Sequence, residues 1–228
     1  MNRLRPSFTP FERVLWLCSA GLIVLSALLF RGGSAFSVIT SLIGVTSLIF
    51  AAKGNPLSQA LMILFSLLYG WISWTFSYYG EMITYLGMTM PMAAWSLIAW
   101  LRHPYEGRRT QVAVNRLHAG EIAFLAVLTA AVTAAFYFIL RAFHTANLLP
   151  STLSVATSFA AAYLTARRSA WFALAYALND LVLIALWLLA SLTDTSYITV
   201  LVCFAVFFIN DLYGFLSWME MRKRQKTV

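Results

Sequence analysis

The chain has 228 residues, of which 61% are hydrophobic and 11% charged, with a net charge of +8. Soluble domains run at roughly 45–50% apolar and about 25% charged, and no globular core of this size buries that much apolar surface, so lipid must be the solvent for most of the chain. A charge of +8 would suggest nucleic acid in a soluble protein, but here the basic residues sit in short loops and tails, which points to a membrane and away from nucleic acid.

A bilayer core of about 30 Å takes about 20 apolar residues per helix. In chain order, eight segments qualify: 13–30, 35–52, 57–77, 82–101, 120–140, 150–166, 170–190 and 196–219. Arg3, Arg5 and Arg13 precede the first. That run is too long for the apolar part of a cleavable signal, so it is expected to be a retained helix. Turn chemistry or charge separates the segments: Gly32-Gly33, Gly54-Asn55-Pro56, Gly80-Glu81, the polar stretch from Arg102 to Glu121, Asn147 to Pro150, Arg167-Arg168, and Asp194. Pro91 lies inside the fourth segment and should kink it, freeing a carbonyl near Gly87. Cys18 and Cys203 lie in apolar stretches and read as packing residues rather than a disulfide or a metal site.

The Lys and Arg pattern sets the direction. With the N-terminus inside, every basic residue faces the cytoplasm except Arg31 and Arg141. The expectation is a multi-pass protein of the cell inner (plasma) membrane with both termini cytoplasmic.

An internal register is also visible when Ser37–Trp100 is set over Leu153–Trp218. Lys53 then meets Arg167-Arg168, Trp74 falls near Trp187, and Trp100 lies over Trp218. The fold class expected is all-α with eight transmembrane helices. An extra helix (13–30) leads, followed by two parallel three-helix repeats (35–101 and 150–219) joined by a linker helix (120–140), all in a single transmembrane domain. The repeats start on the same side, so they are related by an axis along the membrane normal.

Polar residues inside a span are expensive and mark sites or pathways. The seventh segment carries Asn179 and Asp180, and the eighth carries Asn210 and Asp211. At 1.5 Å per residue both pairs fall roughly 13–16 Å deep, near the midplane. They either bond across a helix interface as glue or face a polar cavity. No Lys or Arg lies at that depth, so an acid there faces water or a cation, or stays protonated. Aromatics crowd the same level: Tyr69, Trp71, Trp74, Tyr85, Trp95, Tyr176, Trp187, Tyr213 and Trp218. Trp16, Trp100 and Trp218 suit the interfacial belt. Trp71, Trp95 and Tyr176 lie deeper, where a ring can stack on a heterocycle, better still a cationic one.

No phosphate loop, HExxH pair or nucleophile elbow is present. His103, His118 and His144 all sit in loops, and no lysine lies mid-helix for a Schiff base. No catalytic constellation or cofactor motif is found, so the chain is not expected to be an enzyme.

The segment Tyr78-Tyr79-Gly80-Glu81, then Met90-Pro91-Met92, Trp95 and Trp100, resembles the PnuC nicotinamide riboside transporter family. So does the final run Ile209-Asn210-Asp211-Leu212-Tyr213-Gly214-Phe215-Leu216-Ser217-Trp218. The resemblance spans residues 35–220. It implies a SWEET-like arrangement of three helices, one linker and three helices. It also implies a uniporter that moves a vitamin precursor downhill, with a separate cytoplasmic kinase trapping it. The chain departs from the family where the penultimate helix starts. Family members carry Gln and two Trp there. Phe172, Ala173 and Tyr176 take those places when the following acid is set on Asp180, and Trp171 partly replaces one of the tryptophans.

The expected function is facilitative transport of nicotinamide riboside. A related nucleoside, thiamine or riboflavin, and a non-transporting receptor or assembly subunit, stand as alternatives. The substrate-binding residues expected are Asn210 and Asp211, with Asn179 and Asp180 beside them, Trp71, Trp95 and Tyr176 stacking on the ring, Tyr213 closing the site, and Trp187 and Tyr69 nearby. The partners expected are a nucleoside-like small molecule and membrane lipids, with no nucleic acid. A homo-oligomer, as a trimer, is compatible with the reading.

Overall fold

The computed structural model describes residues 8–30, 34–75, 79–145 and 147–225. Among these residues eight helices are long and apolar enough to cross a membrane. They are α1 (Pro10–Phe30), α2 (Ala35–Ala52), α3 (Leu57–Thr75), α4 (Tyr79–Arg102), α5 (Ala119–Ala142), α6 (Leu148–Ala166), α7 (Phe172–Ser191) and α8 (Ile198–Arg224). The chain is an all-α membrane protein. α1 and α4 start three residues earlier than expected, and α8 runs five residues further, because charged side chains close to the ends of a span stay in the helix and reach water. Arg3, Arg5, Arg31, Gly32-Gly33, Tyr78 and Lys226 lie outside the described residues.

The helix ends are built from local chemistry. Thr9 and Glu12 form a reciprocal cap on α1: the Thr9 amide donates to Glu12 Oε2 (2.7 Å) and the Glu12 amide to Thr9 Oγ1 (3.2 Å). This arrangement, with Pro10 at the first position, satisfies two orphan donors. Ser34 accepts from the Ser37 amide and caps α2.

α2 and α6 end in the same turn. Gly54 takes φ +66° and Arg168 takes φ +57°. The amides of Gly54 and Asn55 donate to the carbonyls of Ala51 and Phe50, and those of Arg168 and Ser169 donate to Thr165 and Leu164. A left-handed residue after the last turn satisfies carbonyls that the helix leaves open.

α4 is not a uniform helix. Residues Tyr85–Thr89 form a π-turn, with the Met90 amide donating to the Tyr85 carbonyl. Pro91 has no amide to offer Gly87, and the wider turn just before it accommodates the loss. The expected kink therefore takes the form of a π-bulge.

The polar stretch after α4, expected as a loop, holds a hairpin of β1 (Pro104–Tyr105) and β2 (Arg108–Val112). Glu106 and Gly107 turn it, both at positive φ, as a two-residue hairpin requires. Past β2 the chain touches three helix ends. The Val112 amide donates to the Gly54 carbonyl, and the Asn115 amide donates to the Arg168 carbonyl. The Gln225 side chain accepts from the Val114 amide and donates to the Val112 carbonyl. Lys53, Arg102, the hairpin, Arg167, Arg168 and the end of α8 thus share one side of the bundle, called here the basic side.

α1 packs on α2 and α8, α2 on α3 and α8, α3 on α4, α4 on α6, α5 on α6, α6 on α7, and α7 on α8. One core cluster lies among α1, α2, α3, α7 and α8 around Phe65, Phe204 and Phe207. A second gathers Trp100, Phe172 and Trp218 near the basic side. A third joins α4, α5 and α6 around Phe159. Between these clusters the bundle is not filled.

Candidate functional site

The unfilled space is a cavity of about 70 Å³ enclosed by α2, α3, α4, α6, α7 and α8. Its acidic wall comes from α7 and α8. Asn179 and Asp180 lie seven and eight residues into α7, and Asp211 lies in the middle of α8. Asp180 and Asp211 both border this space. Asp180 Oδ2 is buried without a hydrogen-bond partner, and the residue is 3% exposed. Asn179 Oδ1 accepts from Thr157 Oγ1 (2.8 Å) and Ser154 Oγ (3.3 Å) on α6. Those two bonds fix the amide and leave its NH₂ group to the cavity side.

The rest of the lining is aromatic and hydroxylic. Phe65, Tyr85, Phe172, Tyr176, Phe204 and Phe207 supply flat faces. Ser47, Gln59, Thr84, Thr89 and Ser158 supply polar atoms. Glu81, from the first turn of α4, also reaches the cavity. Among the described residues no Lys, Arg or His lines it. Charges in such a low-dielectric space act strongly on whatever enters. Among the described residues no three His, Cys, Asp or Glu side chains are grouped as metal ligands would be.

The structure brings together Asn179, Asp180, Asp211 and Tyr176 of the residues expected from sequence. The other six lie elsewhere. Asn210 is 1% exposed and points to α1, with Nδ2 donating to Ser19 Oγ (3.0 Å) and to the Val206 carbonyl (2.8 Å). Successive residues on a helix are about 100° apart, and here that turn leaves Asp211 at the cavity and Asn210 outside its lining. Trp71 is 55% exposed and packs edge-on against Trp74, and Trp95 is 43% exposed against Tyr163. Both indoles lie at the surface of the bundle, outside the cavity lining. Tyr69 stacks on Phe65 and Tyr85 behind the cavity wall. Tyr213 donates to Glu12 Oε1 on the basic side, where Lys53 also holds Glu12 (2.8 Å). Trp187 packs against Tyr197 and lines a second cavity.

Sequence reasoning missed Gln59, Glu81 and the hydroxyl residues of the wall. Glu81 lies next to a glycine at the end of a span and so reads as a turn. Ser and Thr give no signal, because each can bond to its own helix. Ser158 does so, donating to the Ser154 carbonyl.

The comparisons with known proteins agree on one group. The family model described as nicotinamide mononucleotide transporter matches residues 34–220. A nicotinamide riboside transporter PnuC of Neisseria mucosa is 25% identical over 221 residues, covering 95% of this chain and 84% of that protein. The crystal structure of the vitamin B3 transporter PnuC superposes with a TM-score of 0.83 at 22% identity, covering 97% of this chain and 96% of the other. That last likeness is one of fold.

Proposed function

Because the chain belongs to the nicotinamide mononucleotide transporter family, we propose that it carries nicotinamide riboside across the membrane by facilitated diffusion. The observation that supports this most is the chemistry of the central cavity, with acidic groups at Asp180, Asp211 and Glu81, aromatic faces, and no basic side chain among the described residues of the lining. A pyridinium ring carries a fixed positive charge and a flat face. It gains from both carboxylate and π surface. The ribose hydroxyls have Asn179 and Gln59 to bond. A phosphorylated form would bring roughly −1.5 to −2 charges to a lining with acids and no base, so the riboside suits the cavity and the mononucleotide does not.

Uniport, with a separate kinase trapping the product inside, is part of the same proposal. So is the orientation. The basic side is read as cytoplasmic, because Lys and Arg favour that face.

We also propose that residues 35–101 and 150–219 are parallel repeats. Under the register that sets residue 53 over 167, Gly54 falls on Arg168 and Ala51 on Thr165, and both helix ends make the same turn. α2 packs on α8 and α4 on α6. Each unit thus offers its first helix to the other's third, as a twofold relation requires.

The cavity of about 70 Å³ is smaller than the roughly 300–1,000 Å³ typical of ligand pockets, so carriage involves widening it. Differential affinity between the two accessible states drives that change. The test is uptake into proteoliposomes of labelled nicotinamide riboside against its phosphorylated form. The riboside is expected to enter and the mononucleotide not to. Equal entry of both, or of neither, overturns the reading. Phe172 and Tyr176 in the cavity wall mark the departure from the family pattern. Thiamine, riboflavin and deoxynucleosides therefore belong in the same assay.

A further inference from the structure

A second cavity, of about 590 Å³, lies on the side opposite the basic one. Its wall is formed by the start of α4, the α5–α6 turn and the far ends of α7 and α8. Tyr79, Phe143, Trp187 and Tyr197 give it aromatic faces, and Asn147 and His144 add polar atoms. Glu81 is the one described residue that lines both this cavity and the central one. It therefore stands at the neck between them.

The position of Glu81 is fixed from behind. A Cβ on the neighbouring Gly80 would lie 2.6 Å from Thr145 Oγ1, so the first turn of α4 is seated directly against the α5–α6 turn. Glu81 lies in that first turn, at the helix end whose dipole favours negative charge. Among the described residues Glu81 makes no ion pair and accepts no hydrogen bond. Beyond it, in the central cavity, the buried Asp180 Oδ2 is also without a hydrogen-bond partner. Two carboxyl groups with unfilled acceptor capacity thus lie on one route, and aromatic walls flank the first of them.

We infer that Glu81 and the aromatic wall of the second cavity form a docking subsite for a cation, which holds the positively charged ring of the substrate at the neck before it passes to Asp180 and Asp211. The inference rests on the transport reading above and adds to it a specificity-determining residue. Carboxylate and π faces around one space attract a cation and give no such advantage to an uncharged ring.

The experiment compares two substrates that differ in charge and little in shape. One is nicotinamide riboside. The other is its dihydro form, in which reduction of the ring removes the positive charge. Initial uptake by proteoliposomes is measured for the wild type, Glu81→Gln and Glu81→Asp. Glu81→Gln is expected to raise KM for the cation about tenfold and to leave KM for the dihydro form within about twofold. Glu81→Asp is expected to recover most of the preference. The ratio of the two uptakes within one variant cancels any loss of folded protein. A Glu81→Gln variant with an unchanged ratio, in a wild type that carries the riboside, overturns the inference and leaves the transport reading standing. A wild type that carries neither compound overturns the transport reading and the inference with it.

Discussion

Trp100 and Trp218 lie against one another and make matching bonds to the ends of two further helices. Trp100 Nε1, at the end of α4, donates to the Thr165 carbonyl of α6 (2.8 Å), and Trp218 Nε1, near the end of α8, donates to the Ala51 carbonyl of α2 (2.7 Å). The two rings meet at 5.4 Å, and neither is exposed. Each indole accordingly reaches the end of a helix on the basic side, Trp100 that of α6 and Trp218 that of α2. Replacing either by Phe keeps most of the apolar volume and removes one hydrogen bond to a carbonyl that still accepts a capping amide, from Arg168 or from Gly54. The expected cost is about 0.5–1.5 kcal/mol each. Because the rings touch, the double variant should deviate from additivity. Thermal unfolding in detergent checks both points, and unchanged midpoints would remove the indole bonds from the account of stability.

Glu12 joins α1 to the rest of the bundle. Its carboxylate is buried, takes Lys53 Nζ at 2.8 and 3.1 Å, and accepts from Tyr213 Oη at 3.1 Å. Lys53→Met leaves that carboxylate without its counter-charge and is expected to destabilise by about 3 kcal/mol, with Glu12→Gln added in the same chain restoring most of the loss. A double variant no more stable than Lys53→Met would show that charge pairing is not what Lys53 supplies.

Asn210 and Asp211 are adjacent and should behave differently. Asn210→Ala removes the bonds to Ser19 and Val206. It is expected to lower the unfolding midpoint and to leave KM for uptake near the wild-type value. Asp211→Asn keeps a hydrogen-bonding group beside Asp180 and removes an acid from the cavity. It is expected to leave the fold intact and to lower uptake about tenfold or more, the usual scale for loss of a desolvated charge contact. If KM moves for Asn210→Ala and not for Asp211→Asn, the cavity has been assigned to the wrong face of α8.

Gly54 and Arg168 occupy the same left-handed position in two turns. Gly54→Ala is expected to cost about 1–2 kcal/mol, from the φ alone, with the flexible Met221 side chain yielding to the new methyl at 3.2 Å. Arg168→Gly relieves the same strain and loses a long contact to the Ala113 carbonyl, so its net change should stay under about 1 kcal/mol. Thermal midpoints of the two variants, compared side by side, test this. A larger loss for Arg168→Gly would mean that its guanidinium matters more than its backbone.

The eight spans were legible because lipid imposes a length and an apolar composition that leave few alternatives. Asn179, Asp180 and Asp211 were visible for a similar reason, since a polar residue in a span stands out against its neighbours, and all three line the central cavity. What the sequence could not supply was the face. Asn210 sits one residue from Asp211 and points to α1. Trp71 and Trp95 would be equally at home against lipid or against a ligand, and they lie at the surface of the bundle. The hairpin at residues 104–112 was hidden because two short strands leave no periodicity to read. Glu81 was hidden because an acid beside a glycine at the end of a span reads as a break.

The chain between Val112 and Asn115 binds the carbonyls of Gly54 and Arg168 at the same time. Three residues of extended backbone reach at most about 10 Å. The ends of α2 and α6 are therefore tied by a short tether on the basic side, with Gln225 fastening the end of α8 to the same tether. Helices joined so closely at one end move most freely at the other. The tether acts as a fulcrum, and the second cavity lies at the far end of the levers. Opening on the basic side must carry the tether as a rigid piece or break its two backbone bonds. The two doors of this pathway are then unequal by construction, one opening by rotation about a fixed point and the other only by moving that point.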